Sequence, residues 1–306
     1  MALRHVLSID DLKDSDLDLL SQKALAFNPA AQAPLNPLAK APVALIFLEP
    51  STRTRMSFER AAQITSRRHV FMEAKGSSVE KGESLVDTLK NLNALGLKFF
   101  VIRTPHTGSL AELKKLEFAR VINAGDGVGE HPTQALLDLC TLLEQRNGRL
   151  GSLKGFRLGI LGDLKRSRVA KSWSLLAARL GMELTLVSPA SWKPVDWPGA
   201  SSLAWSDDKK GALTDLDALI VLRVQKERML TLDPEELSDF TQRFQLIPTD
   251  LTDKQLLLHP GPVNWGVELH EAWSHDRRSL ILHQVAMGLR LRASLLEHMD
   301  ESTGGL

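Results

Sequence analysis

The feature that most constrains this chain is an alternation, run twice, of short apolar segments with longer segments of helical character. Val43-Ala-Leu-Ile-Phe-Leu48 and Phe99-Phe-Val-Ile102 contain no polar residue, as strands buried on both faces do. Helices are expected over residues 54–65 and around residues 82–95. Residues 119–130 read as a strand that runs into the glycine-rich loop Gly125-Asp-Gly-Val-Gly129. A helix is expected over 132–144, with Pro132 at a favoured first-turn position, ended by residues 146–149 and Gly151. The pattern then restarts, with strands expected over 157–161, 183–187 and 216–222. Such alternation implies parallel sheets flanked by helices.

The ends and connections follow from local signals. Residues 10–20 read as an amphipathic helix starting at a capping Asp10. Residues 29–42 and 188–209, rich in Pro, Ala, Ser or Trp, read as irregular. Residues 280–299 form a closing helix long enough to pack back on either half. A length of 306 residues suits two domains of about 150 residues. The expectation is therefore an α/β protein of two domains, each a parallel sheet flanked by helices, with the C-terminal helix returning to the first. The boundaries are 1–145 plus 282–306 for one domain and 146–281 for the other.

Charge and cysteine content remove several classes of function. A formal net charge of +1 argues against general binding to nucleic acid or membrane. No stretch approaches the ~20 apolar residues of a membrane span, and the first ten residues lack a signal-peptide core, so a cytoplasmic protein is expected. The single cysteine, Cys140, lies in an apolar helical run and reads as a buried small hydrophobe, not a nucleophile. With no tyrosine in the chain, no mechanism can rest on a phenol.

Two segments carry candidate chemistry. Glu49-Pro-Ser-Thr-Arg-Thr-Arg-Met-Ser-Phe-Glu59 joins a buried strand to a helix start. Free N–H groups and the positive end of the helix dipole suit an anion there. Ser51, Thr52 and Thr54 add hydroxyls, and Arg53 and Arg55 add guanidinium groups suited to a phosphate dianion. Helical positions two apart point about 200° away from each other. Arg53 is therefore assigned to the ligand and Arg55 to a structural pair. A solvated helix start with surface arginines would read the same way. The second segment is Gly129-Glu-His-Pro-Thr-Gln134, where His131 and Gln134 can face the strand ends at which open α/β sheets bind ligands; a lone histidine at a helix start is more often a cap or surface group. Neither segment is a Walker A loop, and Gly125–Gly129 has the wrong spacing for a dinucleotide fingerprint.

Ser51-Thr-Arg-Thr-Arg55, His131-Pro-Thr-Gln134 and His259-Pro-Gly-Pro-Val-Asn264 resemble, in order, the signature segments of the aspartate/ornithine carbamoyltransferase family. Gly76-Ser-Ser-Val-Glu-Lys-Gly-Glu83, Gly162-Asp-Leu-Lys-Arg-Ser-Arg168 and Arg223-Val-Gln-Lys-Glu-Arg228 are similar to segments of its aspartate-specific branch. Ornithine-specific relatives carry Cys at the place of Thr133 and His-Cys-Leu-Pro at the place of His259–Pro262. A dicarboxylate acceptor also calls for cations, and Arg168 and Arg223 are expected in loops after second-domain strands.

The resemblance implies a cytoplasmic enzyme of de novo pyrimidine biosynthesis. It would move the carbamoyl group of carbamoyl phosphate to L-aspartate in a cleft between a carbamoyl phosphate-binding first domain and an aspartate-binding second one. Ser51, Thr52, Arg53 and Thr54 would bind phosphate. Thr54, Arg103 and His131 would contact the carbamoyl oxygen. Gln134 and the backbone of Pro260, Gly261 and Pro262 would hold the carbamoyl NH2. Arg168, Arg223 and Gln225 would receive aspartate, with Ser77 and Lys81 supplied by the neighbour in a homotrimer. Arg53, Thr54, Arg103 and His131 are the expected catalytic set. The resemblance implies no metal and no organic cofactor, and it admits regulatory or other pathway-enzyme subunits as partners. Two departures stand out: Trp265 where the family commonly has Arg, and Gln284-Val-Ala-Met-Gly288 where relatives have Gln-x-Glu-Asn-Gly. The second reads as a packing change.

Overall fold

The computed structural model describes residues 3–31, 40–146, 148–194, 197, 203–225 and 234–301. The chain divides into two compact units, Met1–Arg149 with Val285–Leu306, and Leu150–Gln284.

The first unit is built on a five-stranded sheet in the order β1-β5-β4-β2-β3. Its strands are β1 (His5–Val6), β2 (Lys40–Phe47), β3 (Arg67–Glu73), β4 (Phe99–Thr104) and β5 (Arg120–Asp126), and every pairing is parallel. The helices are α1 (Asp14–Ala26), α2 (Thr52–Ile64), α3 (Leu85–Ala94) and α4 (Pro132–Glu144). β4 is the central strand, flanked by β5 and β2; from the apolar runs of β2 and β4, Ala44, Ile46, Phe100 and Ile102 enter one core with Val121 and Leu89.

The second unit repeats the plan in the order β10-β9-β6-β7-β8, again all parallel. Its strands are β6 (Arg157–Leu161), β7 (Glu183–Val187), β8 (Ala204–Ser206), β9 (Ala218–Val221) and β10 (Leu256–Leu258), with helices α5 (Arg168–Leu180), α6 (Lys209–Leu213) and α7 (Pro234–Phe244). One core gathers Leu161, Val187 and Val221 with Trp192, Phe240 and Trp273.

The last helix, α8 (Ile281–Glu301), returns to the first unit. Arg290 Nε donates to the Ala24 carbonyl of α1 at 2.8 Å, and Arg292 Nη1 to Ser57 Oγ of α2 at 2.8 Å. Asp300 bridges Arg67 and Arg120, whose guanidinium groups both lie 4.8 Å from the Phe99 ring.

Several sequence expectations need correction. The N-terminal helix begins at Asp14, not Asp10. Ser8 instead caps a short 3-10 turn, Ile9–Asp11, its hydroxyl accepting from Asp10 N, and a new helix starts after Lys13. β2 begins at Lys40, inside the expected loop; its register shifts between Lys40 and Val43, where Pro42 lacks a ladder donor. α2 starts at Thr52, two residues earlier than expected, so the hydroxyl-rich segment itself forms the first turn. α3 starts at Leu85, because Ser84 caps it by accepting from Asp87 N. Arg168 is not a loop residue: it opens α5, behind the capping Ser167. The span 188–209 contains β8; residues 195–196 and 198–202 lie outside the described residues, as does Asn147 in the expected stop of α4. β1, β3, β10, α5, α6 and α7 add to the elements expected.

Candidate active site

In an open parallel sheet, ligands bind beyond the carboxyl ends of the strands where the strand order reverses. The first sheet reverses between β2 and β4, since the chain passes from β2 to β3 on one side and then to β4 and β5 on the other. The second reverses between β6 and β9, since β7 and β8 extend one way and β9 and β10 the other. Ser51–Thr54 and Arg103 follow the two strands of the first reversal, and Arg168 and Arg223 those of the second; the other candidates follow neighbouring strands.

After β2 comes Glu49, then Ser51 at the N-cap of α2. The Ser51 hydroxyl makes no capping bond, and the first turn holds no acidic residue. The first turn therefore brings no acidic side chain of its own to the positive end of the helix. Thr52 and Arg53 are exposed and Thr54 is buried. Arg55 turns away: it meets Glu59 at 3.4 Å and Glu73 at 3.3 Å, and its guanidinium lies 4.4 Å from the Phe71 ring. Across the switch point, Arg103 at the end of β4 is buried. Its Nη2 is 3.3 Å from Glu49 Oε2, and its Nη1 donates to the Ala124 carbonyl at 3.3 Å.

Beyond β5 the glycine-rich loop is held close. Gly127 has φ +48°, and a Cβ there would lie 2.6 Å from Thr107 N. His131 is the buried N-cap residue of α4, with Nδ1 3.4 Å from Thr133 Oγ1. Gln134, one turn in, donates through Nε2 to Asp138 Oδ1 at 2.8 Å. Asp138 is fully buried and faces Arg292 of α8. Burial pushes the Arg292 guanidinium down to about 10; the Asp138 carboxylate opposes that shift and the charge of Arg53 adds to it. Arg53, Arg292, Asp138 and Gln134 therefore share one electrostatic neighbourhood.

In the second unit, Gly162 ends β6 with φ +129°, and a Cβ there would lie 2.9 Å from the Leu222 carbonyl oxygen. That contact brings the turns after β6 and β9 together. Gln225 Nε2 then donates to the Arg166 carbonyl at 3.2 Å, joining the segment of Arg223 to the one that leads into Arg168. Arg168 is buried, while Arg223 and Gln225 are half-buried. The remainder of that motif, Lys226–Arg228, lies outside the described residues. After β10 comes the loop of His259, half-buried Pro260, a cis Gly261–Pro262 bond and Asn264. Gln284 Oε1 accepts the His259 N–H at 2.8 Å. Ser77 and Lys81 stand after the edge strand β3; Ser77 Oγ donates to the Ala74 carbonyl at 2.7 Å, and Lys81 is exposed.

Sequence reading passed over Glu49 and Asp138. Asp138 carried a local signal, four residues after Gln134 on the same helix face. Glu49 carried none, because its partner Arg103 is distant in sequence. Cys140 is buried and burial pushes its thiol up to about 12, which removes it as a nucleophile near neutral pH. Among the described residues no group of His, Cys, Asp and Glu is arranged to hold a metal, and no helix is long and apolar enough to cross a membrane.

Residues 4–144 match the family model described as aspartate/ornithine carbamoyltransferase, carbamoyl-P binding domain, and residues 154–299 match its Asp/Orn binding domain. The chain belongs to the aspartate/ornithine carbamoyltransferase family. Within that family it is 39% identical over 299 residues to the aspartate carbamoyltransferase catalytic subunit of Opitutus terrae, covering 96% of this chain and 94% of that one. The solved catalytic subunit of M. jannaschii aspartate transcarbamoylase matches with a TM-score of 0.85 at 28% identity, over 99% of this chain and 100% of that one. The aspartate transcarbamoylase of Trypanosoma cruzi, solved with carbamoyl aspartate and phosphate, matches with a TM-score of 0.84 at 26% identity, over 96% and 95%. Of the two departures from the carbamoyltransferase pattern, Trp265 is 41% exposed; the adjoining Gly266 N–H donates to the Leu269 carbonyl at 2.8 Å. The other is local to α8, where Met287 stands buried at a changed position; Gly288, common to both patterns, leaves room for Arg292, since a Cβ there would lie 2.6 Å from its Nη1.

Proposed function

We propose that this chain transfers the carbamoyl group of carbamoyl phosphate to the amino group of L-aspartate, giving N-carbamoyl-L-aspartate and phosphate in de novo pyrimidine biosynthesis. The observation that carries this reading is the distribution of cations over the two switch points. The first has an uncapped helix N-terminus with Arg53 and Arg103, which suits a phosphate dianion. The second has Arg168 opening α5 and Arg223 two residues before Gln225, which bonds the Arg166 carbonyl; two cations suit a dicarboxylate acceptor and not a distal amine.

Each residue then has a role. Ser51, Thr52, Arg53 and Thr54 take the phosphate. Thr54, Arg103 and His131 donate to the carbamoyl oxygen, which becomes negative when the neutral amine attacks the carbonyl carbon. His131 Nδ1 lies 3.4 Å from Thr133 Oγ1; in the tautomer with the ring proton on Nε2, that nitrogen can donate to the carbamoyl oxygen. Removing one such donor typically costs ~3 kcal/mol of transition-state stabilisation. Gln134, oriented by Asp138, and the backbone of Pro260, Gly261 and Pro262 hold the carbamoyl NH2. Arg168, Arg223 and Gln225 bind aspartate. The leaving phosphate takes the amine proton, and the remaining acceleration comes from positioning two substrates. The enzyme acts as a cytoplasmic homotrimer, and each site is completed by Lys81, with Ser77, from the neighbouring subunit. Regulatory or other pathway-enzyme subunits are further candidate partners.

The test is release of phosphate from carbamoyl phosphate with aspartate, with ornithine and with no acceptor. Release that depends on aspartate, with N-carbamoyl-L-aspartate identified by mass spectrometry, is expected. Equal release with ornithine, or release indifferent to any acceptor, overturns the reading.

A further inference from the structure

One fully buried carboxylate outside the assigned set receives a convergence of donors. Glu268 has no solvent exposure. Its Oε1 accepts the Asn264 backbone N–H at 2.6 Å and lies 3.3 Å from His259 Nε2. Its Oε2 accepts from Asn264 Nδ2 at 3.0 Å, with the Val224 N–H at 3.5 Å. Asn264 Nδ2 donates in addition to the Val224 carbonyl at 2.9 Å. His259 Nδ1 accepts the Gly261 N–H at 2.8 Å, which places the ring proton on Nε2, facing Glu268.

The groups tied together are informative. Gly261 and Asn264 belong to the loop assigned to the carbamoyl NH2. Val224 lies between Arg223 and Gln225, assigned to aspartate. A buried carboxylate is costly unless its oxygens are satisfied by hydrogen bonds, and here the donors come from those two segments. Each segment is irregular backbone beyond a strand end, with no helix or ladder of its own to fix it.

We propose that Glu268 is a positioning residue that sets the carbamoyl-holding loop and the aspartate-binding segment in one fixed relation. It touches neither substrate and acts through His259, Asn264 and Val224. The inference rests on the carbamoyl-transfer reading and adds to it a residue that sets the alignment of the two substrates.

Glu268→Gln is the discriminating variant. It keeps shape but replaces one acceptor oxygen by a donor NH2. On either side of the site that NH2 meets N–H groups already pointing inward. His259 cannot relieve the clash by changing tautomer, because its Nδ1 already accepts from Gly261. Since misplacement of about 1 Å can cost ~100-fold, kcat/KM for aspartate should fall about 100-fold, with kcat lowered and KM raised. Inorganic phosphate, which needs only the α2 cradle, should bind within about twofold of wild type by calorimetry. Asn264→Ala, at a half-buried position, should show the same pattern at about tenfold, and it decides the matter if Glu268→Gln fails to fold. All rates are taken well below the thermal midpoint of each variant. Wild-type kinetic constants in a variant with a lowered midpoint mean that the cluster only stabilises, and that overturns the proposal. Loss of phosphate binding in parallel with turnover also overturns it. Absence of aspartate-dependent turnover in the wild-type enzyme overturns the carbamoyl-transfer reading and this inference together.

Discussion

Arg53 and Arg55 are two residues apart, and the turn of the helix between them separates their partners. Arg55 is held by Glu59, Glu73 and the Phe71 ring, so its charge is committed to joining α2 to β3. Arg53 is exposed on the first turn, within the field of buried Arg292. We predict that Arg53→Ala weakens phosphate binding by about 10–100-fold, the value of one or two charge-assisted hydrogen bonds, with little change in thermal midpoint. Arg55→Ala should do the reverse. It should leave phosphate affinity within about threefold and lower stability by ~1 kcal/mol through the lost ring contact and partly exposed pairs. Calorimetry and thermal denaturation on the two proteins separate the cases; equal loss of phosphate affinity in both would show that the helix does not sort them. The structural pairing of Arg55 was legible in the sequence, because turning it away from Arg53 needs only the 100° step of a helix. The Glu49–Arg103 pair was not, because parallel strands β2 and β4 bring it together from residues more than fifty positions apart.

Strands β6 and β7 were readable to the residue, since each is short, apolar and covered on both faces. β3 was not. Its sequence, RRHVFME, hides a strand because an edge strand leaves most side chains partly in solvent, and because its one buried residue, Arg67, is charged. Arg67 is tolerated there because Asp300 of α8 bridges it to Arg120 over the Phe99 ring. Asp300→Ala should therefore destabilise the first unit by about 3 kcal/mol, the lower end of the range for stranding a buried charge, since Asp300 is itself partly exposed. Urea denaturation would measure this, and a change below ~0.5 kcal/mol would show that α8 is anchored elsewhere. A second element-scale dependence sits at Gly162, where β6 gives way to the turn proposed to bind aspartate. A methyl there would press on the Leu222 carbonyl at a φ that L side chains rarely adopt. Gly162→Ala should cost about 2 kcal/mol of stability and raise the KM for aspartate about tenfold, with phosphate binding unchanged. An unchanged aspartate KM would disconnect the switch point from the acceptor.

At the scale of the whole molecule, the edge of the first sheet bears on how subunits complete one another. Among the described residues β3 has no strand on its outer side, and Val70 and Phe71 on it are 46% and 37% exposed; an open strand edge can serve as a pairing surface. The loop after β3 carries exposed Lys81 just before Gly82 at φ +90°. A phosphate dianion beside a dicarboxylate is a strongly negative assembly, and a further cation would stabilise it. The prediction is that Lys81 serves the active site of the next subunit in a closed three-fold ring. Lys81→Ala and Arg53→Ala should each be nearly inactive alone. When the two are unfolded together and reassembled, a mixed ring of three has one junction at which an intact Arg53 faces an intact Lys81 from its neighbour. It makes no difference whether the ring holds two of one variant or two of the other. Isolated mixed rings should then show about one third of wild-type activity, by the counting of junctions. If native mass spectrometry finds mixed trimers that remain inactive, Lys81 acts within its own chain or not at all. If the reassembled protein is not trimeric, the exposed edge of β3 faces some other surface.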